Sequence, residues 1–174
     1  MKILFEFDEK KCSACGACAV ACMDQNDVDV AAGQEHYRKV YQYESGDDMV
    51  CISIACLHCP DAPCVTACPV GCLYKDPDTG FTLYNNTYCI GCHSCAMACP
   101  YGIPSFGSDG KMKKCDACIE RQRAGLTPAC VKVCPTGALT LLDEAEFLRR
   151  QSRMQEKKAE RMRREQWSAA EPAK

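Results

Sequence analysis

The run Cys89-Ile-Gly-Cys92-His-Ser-Cys95-Ala-Met-Ala-Cys99-Pro100 restricts this chain more than any other stretch of it. Three thiols arrive at every third position, a fourth follows after three more residues, and a proline ends the run. A tight turn that presents three sulfurs suits three corners of an iron–sulfur cubane, and the fourth sulfur is carried off to meet a second cluster. The set recurs three more times. Cys12, Cys15, Cys18 and Cys22 keep the same spacing. In Cys56, Cys59, Cys64 and Cys68 the segment Pro60-Asp61-Ala62-Pro63 widens the middle gap, and in Cys115, Cys118, Cys130 and Cys134 the segment Ile119 to Ala129 is inserted.

Cys-Pro-x-Gly recurs at 68–71, 99–102 and 134–137, which marks an internal repeat. Its role reads as mechanical: proline fixes φ just after the sulfur, and glycine permits a sharp reversal into the next strand. Cysteine supplies 18 of 174 residues, which leaves a thin aliphatic and aromatic core. Metal–thiolate bonds must then carry part of the folding free energy.

Two other readings of so many cysteines fail. A secreted disulfide scaffold does not require four tetrads, and Met1-Lys2-Ile3-Leu4-Phe5-Glu6 breaks its apolar run with charge too early for a secretory leader. Structural zinc draws two ligands from each of two knuckles, and three sulfurs on one knuckle exceed that. Sixteen cysteines in four tetrads predict four [4Fe–4S] clusters, with no three-iron centre because every position is cysteine. The formal charge of −2 counts each thiol as neutral. Four clusters of about −2 each bring the total to roughly −10, which argues against nucleic acid as a partner. No apolar run approaches the length of a membrane span. No nucleophile–base pattern, phosphate loop or dinucleotide fingerprint occurs, so no residue is assigned a catalytic role. Asn85-Asn86-Thr87 matches a glycosylation sequon that has no meaning inside a cell.

Between the motifs, residues 2–7 read as a strand and Ala17 to Asp24 as a helix that no proline interrupts. Asp27 to Gln34 reads as a loop. Tyr37–Glu44 and Met49–Ile54 read as strands of a hairpin about the turn Ser45-Gly46-Asp47-Asp48. Leu73–Lys75 and Phe81–Tyr84 flank the turn 76–80, and Ala138–Leu142 forms a last strand. From Asp143 a long polar helix begins, with Leu148, Ala159 and Met162 on one side. Its row Arg149, Arg153, Lys157, Arg161 places like charges at i, i+4. That row reads as a solvated tail or as a docking arm for an acidic partner face, and Trp167 as a packing anchor.

Spacing leaves the sulfur partnership open. If inner and outer motifs pair, Cys56, Cys59 and Cys64 share a cluster with Cys99, and Cys89, Cys92 and Cys95 with Cys68. Cys12, Cys15 and Cys18 then take Cys134, and Cys115, Cys118 and Cys130 take Cys22. The alternative pairs the motifs sequentially, first with second and third with fourth. Cys51 and Cys72 read as small buried apolar residues outside the ligand sets. His58 and His93, inside the loops, read as solvated side chains rather than donors to cluster sulfur. His36 carries no signal.

The four-motif order, the strand His36-Tyr37-Arg38-Lys39-Val40-Tyr41-Gln42-Tyr43, Cys99-Pro100-Tyr101-Gly102 and Lys114-Cys115-Asp116-Ala117-Cys118 resemble the iron–sulfur (beta) subunits of the dimethyl sulfoxide reductase and formate dehydrogenase family. The resemblance covers about residues 3–142. It implies an α+β fold of two interlocked ferredoxin-like halves, each of the two-[4Fe–4S] type. The outer half would comprise 1–25 with 101–142 and the inner half 55–100, with an inserted hairpin at 26–54 and a basic helical tail at 143–174. It favours the inner/outer pairing, sets four clusters in a line, and places the Cys12, Cys15, Cys18, Cys134 cluster nearest a molybdenum or tungsten bis-pterin catalytic subunit. The far end would serve a further donor or acceptor: a membrane anchor, a hydrogenase or another iron–sulfur subunit. The C-terminal membrane helix of membrane-bound relatives has no counterpart. The function implied is single-electron relay by a non-catalytic subunit. The competing functions are a stand-alone soluble polyferredoxin and a maturation accessory protein. The expected compartment is the cytoplasm, or the periplasmic side if a signal-bearing partner exports the complex.

Overall fold

The computed structural model describes residues 3–46 and 48–170. The first strand, β1 (Ile3–Phe7), pairs antiparallel with the last, β8 (Leu139–Asp143), in a register that sets Phe5 opposite Leu141. The pairing therefore closes residues 3–143 on themselves, ahead of the C-terminal helix. Three hairpins lie between. They are β2 (Lys39–Ser45) with β3 (Asp48–Ile54), β4 (Leu73–Lys75) with β5 (Thr82–Tyr84), and β6 (Ser105–Phe106) with β7 (Met112–Lys113).

Helix length follows proline placement. α2 (Pro63–Thr66), α3 (Ser94–Ala98) and α5 (Ala129–Lys132) each stop within about a turn, because Cys-Pro follows. Proline has no amide to donate and drives the residue before it out of the helical region. Cys99 accordingly sits at φ −79°, ψ 116°. No proline follows Cys22, and α1 (Ala17–Gln25) runs past it until the Asn26 side-chain amide donates back to the Cys22 carbonyl at 2.7 Å. α1 packs on α5 and α2 on α3, so motif one meets motif four and motif two meets motif three.

No single apolar core exists among the described residues, as the thin aliphatic content requires. Three small clusters replace it, around Leu73 and Met112, around Phe81, Leu83, Ala117 and Ile119, and around Leu139 with Cys18 and Cys130. Most strands fall within two residues of their sequence limits. Two features differ. The β6–β7 hairpin has no counterpart in the sequence pattern, because two-residue strands carry no periodic signal and only Gly107 to Gly110 marks the turn. The insert Ile119–Ala129, to which the sequence pattern assigns no element, opens with α4 (Ile119–Arg123).

α6 (Glu144–Ala170) starts where the Asp143 carboxylate accepts from the Glu146 amide at 2.7 Å. It touches β8 and β1 at its beginning, with Arg150 paired to Glu6 at 2.6 Å. Leu148 and Met162, on its apolar side, stay about half exposed. The side chain of Trp167, together with Lys2, Asp47 and residues 171–174 of the tail, lies outside the described residues.

Candidate metal centres

All four cysteine loops share one backbone device. The residue two after the first cysteine is left-handed in each: Ala14 at φ 52°, His58 at 48°, Gly91 at 68° and Ala117 at 63°. Three of these carry a Cβ, a conformation that costs on the order of 1–3 kcal/mol and persists only where the surroundings enforce it. The device bends the loop so that its sulfurs converge. Sequence inspection points to it only at Gly91, where a Cβ would also meet the Gly110 carbonyl oxygen at 2.7 Å.

Cys12, Cys15, Cys18 and Cys134 line one pocket, and Cys68, Cys89, Cys92 and Cys95 line another. Four cysteines of matching motif positions in each point to the same kind of occupant. In each pocket the fourth cysteine comes from a distant motif, Cys134 beside motif one and Cys68 beside motif three. Cys134 and Cys68 are also prepared alike. Burial raises both thiols, but amides two, four and five residues on outweigh it. These are Val70, Cys72 and Leu73 on Cys68, and Thr136, Ala138 and Leu139 on Cys134, where the Thr136 hydroxyl adds a further contact; both thiols end below the ordinary range. The Cys72 amide reaches Cys68 Sγ at 3.2 Å. Cys-Pro-x-Gly thus does more than reverse the chain. With proline unable to donate, the turn wraps the next amides around the sulfur, and Gly71 (φ 62°) and Gly137 (φ 64°) make that wrap possible.

Of the remaining eight sulfurs, Cys22, Cys64, Cys115 and Cys130 are buried. Burial pushes Cys22 up to about 12, with the Cys130 and Cys118 sulfurs as neighbours, and drives Cys115 up further, with Cys22 and Cys56 nearby. Burial also raises Cys64, whose neighbours include Cys56 and Cys99. Lys75 feels Cys56, Cys59 and Cys64 together. Cys22 thus neighbours sulfurs of motif four and Cys64 neighbours Cys99 of motif three, while Cys115 lies close to both Cys22 and Cys56. Among the described residues no three His, Cys, Asp or Glu side chains gather as a single-ion site would need. Sulfurs spread around a cavity and supported by amide donors fit a cluster rather than one ion.

Polar side chains are built into the seams between sets. Ser53 Oγ lies 3.3 Å from Cys18 Sγ and accepts from buried Arg38 at 3.0 Å, so the β2–β3 hairpin reaches the first motif. His58 corrects the solvated reading: it is 6% exposed. Its loop tucks beneath β1 and β5, where the imidazole stacks on Phe5 at 6.0 Å and meets Phe81 edge-on at 4.8 Å. Nδ1 accepts from the Thr82 amide at 3.1 Å, which assigns the proton to Nε2, and Nε2 has no partner among the described residues. Burial, then the Lys114 and Lys75 charges, keep this imidazole neutral. His93 is exposed and stacks on Phe106 at 3.7 Å. Cys51 and Cys72 are buried, but Cys72 also lines the cavity of Cys68, Cys89, Cys92 and Cys95, which its position after a closing turn does not announce.

A family model for the 4Fe-4S dicluster domain matches residues 47–144. The sequence is 37% identical over 149 residues to the B subunit of the anaerobic dimethyl sulfoxide reductase of Haemophilus influenzae, across 78% of this protein and 71% of that one. It is 38% identical over 149 residues to the thiosulfate reductase electron transfer subunit PhsB of Salmonella typhi, across 82% and 77%. It is 34% identical over 161 residues to the formate dehydrogenase iron-sulfur subunit of Wolinella succinogenes, across 79% and 80%.

Proposed function

This protein belongs to the family of 4Fe-4S iron–sulfur subunits that includes the B subunits of dimethyl sulfoxide reductases, and from that membership we propose that it is an electron-transfer subunit carrying four clusters between a molybdenum or tungsten catalytic subunit and a second redox partner. The observation that carries this reading is the exchange of the fourth cysteine: Cys134 joins the cavity of motif one, and Cys68 that of motif three. Cys12, Cys15, Cys18 and Cys134 hold one cluster, and Cys115, Cys118, Cys130 and Cys22 the next. Cys56, Cys59, Cys64 and Cys99 hold the third, and Cys89, Cys92, Cys95 and Cys68 the last. A bound [4Fe–4S] cluster supplies a one-electron couple. The polypeptide itself performs no bond chemistry: its thiolates hold iron, its loop amides offset sulfur charge, and its apolar clusters keep water from the interior.

The β1–β8 closure and the α1–α5 and α2–α3 packing support two interlocked halves, an outer one of 1–25 with 101–142 and an inner one of 55–100, with 26–54 as the inserted hairpin. The line of sites ends where sulfur meets solvent. Cys15 and Cys92 are the exposed cysteines of the eighteen, one in the first set and one in the last. The Cys15 end faces the catalytic subunit. The Cys92 end, rimmed by exposed Tyr88, Ile90, Met97 and Tyr101, faces the second partner. The basic row of α6 (143–174 with its tail) docks on an acidic partner face. No described helix is long and apolar enough to cross a membrane.

Anaerobic purification with iron and sulfide analysis and low-temperature EPR tests this reading. About 16 iron atoms per molecule, four cubanes' worth, and a stoichiometric large subunit are expected. Zinc in place of iron, or a polypeptide that purifies alone, overturns it. Deletion of residues 151–174 should weaken assembly in a salt-dependent way; unchanged assembly removes the docking role from α6.

A further inference from the structure

Lys114 is among the least solvent-accessible side chains in the protein, at 1% exposure. Its ammonium donates to the Thr82 carbonyl and to the Cys115 carbonyl, the latter at 2.8 Å, and lies 5.5 Å from the centre of the Tyr84 ring. Two carbonyl acceptors and a π face suit a cation and leave no place for a lone pair. Lys75 arrives from the other side, donating to the Cys59 carbonyl at 2.9 Å, the His58 carbonyl at 3.2 Å and Thr82 Oγ1 at 3.3 Å. Thr82 is therefore a hub: its carbonyl holds Lys114, its hydroxyl Lys75 and its amide His58. Among the described residues neither lysine forms an ion pair with a carboxylate. The carboxylate of Asp116, two residues from Lys114, instead accepts from the Cys118 amide at 2.8 Å.

Burying an ammonium without a counter-charge is strongly unfavourable, and carbonyl dipoles alone offset only part of that cost. The missing negative charge is at hand. The Lys114 head group is bonded to the backbone of Cys115 on one side, and through Thr82 it adjoins the loop of Cys56 and Cys59 on the other. Those loops belong to the two central ligand sets. A four-thiolate cubane carries about −2 when oxidised and gains a further negative charge on reduction. A fixed cation beside it stabilises the reduced form more than the oxidised one.

We propose that Lys114 and Lys75, clamped together through Thr82, form an internal cationic seam that is the counter-charge of the two central clusters and raises their reduction potentials. Lys114 serves both sites, and Lys75 only the one held by Cys56, Cys59, Cys64 and Cys99. This assignment rests on the four-cluster reading above.

The test is an EPR-monitored potentiometric titration of the anaerobically prepared complex, with Cys15→Ser and Cys92→Ser reference spectra to identify the end sites. In Lys114→Gln, whose amide can still donate to both carbonyls, the reduced-to-oxidised ratio at a given potential should fall about tenfold at the two central clusters, which is 59 mV for a one-electron couple. Lys75→Gln should move one cluster, and Lys114→Arg, which keeps the charge, should move none. The inference is overturned if Lys114→Gln leaves the reduced-to-oxidised ratio of all four clusters within threefold of wild type, or shifts an end site as much as a central one. It is also overturned if Lys75→Gln shifts none, or if Lys114→Arg shifts the same clusters as Lys114→Gln. Should Lys114→Gln lose iron, retention in Lys114→Arg supports the counter-charge, and loss in both overturns it. Wild-type complex without four clusters would defeat the functional reading itself, a result distinct from all of these.

Discussion

The sites proposed for the two ends and those proposed for the centre use the same loop but differ in everything around it. At the ends, one cysteine of each set reaches solvent, the crossing sulfur is wrapped by amides, and its thiol lies below the ordinary range. In the centre, Cys22 and Cys115 are buried, their thiols are driven upward by desolvation, and buried Arg38 and Lys114, with half-buried Lys75, supply positive charge. Amide dipoles suffice where water helps to screen a thiolate. Where water is excluded, full charges take over. The difference teaches that a repeated motif fixes sulfur placement, whereas depth decides how each site is electrically balanced.

The largest break in this contrast should come from removing a deep sulfur. Cys115→Ser should strip at least the two central sites, taking iron from about 16 to about 8 atoms or fewer per molecule, while Cys15→Ser should cost no more than about 4. Iron analysis of the two anaerobically prepared variants decides it. Next, Phe81, packed on His58 and Phe5 at the seam, should cost about 3–5 kcal/mol when changed to alanine. Tyr88→Ala at the exposed end should cost no more than about 0.5 kcal/mol. Denaturant midpoints of the two variants measure the difference.

A smaller effect belongs to the exposed rim. The double change Ile90→Asp, Met97→Asp should leave iron content intact and weaken capture of the second redox partner about tenfold, or about 1.4 kcal/mol. The smallest is an order of reactivity. In protein freshly stripped of iron under native conditions near pH 8, iodoacetamide should modify Cys92, Cys68 and Cys134 before Cys22 and Cys115, as read by peptide mass spectrometry. The sign follows from the shifts. Thiols lowered by amide or hydroxyl donors hold more thiolate at that pH, while thiols raised by burial, Cys22 to about 12, remain protonated.

Much of the architecture is legible residue by residue. Cys-Pro stops three helices, and its absence after Cys22 lets α1 run on. Alternation around Gly46 marks the β2–β3 hairpin, and Gly80 the turn before β5. The illegible parts are those with no local signature. Two-residue strands such as β6 have no period to detect. His58 sits in a loop next to polar neighbours, and nothing nearby in the sequence says that Phe5, from the first strand, will cover it. The exposed apolar side of α6 is visible as a pattern, but not its lack of cover among the described residues.

From the sequence alone came the number and kind of donors, the turns that present them, and the family they resemble, because these depend on covalent spacing and on proline and glycine stereochemistry. Only the tertiary structure decided which distant sulfur enters which cavity, which thiols lie deep, and that two lysines meet at Thr82. Those outcomes join residues far apart in the sequence, such as Thr82 and Lys114 at a separation of 32. They arise from burial and packing, which local spacing does not encode.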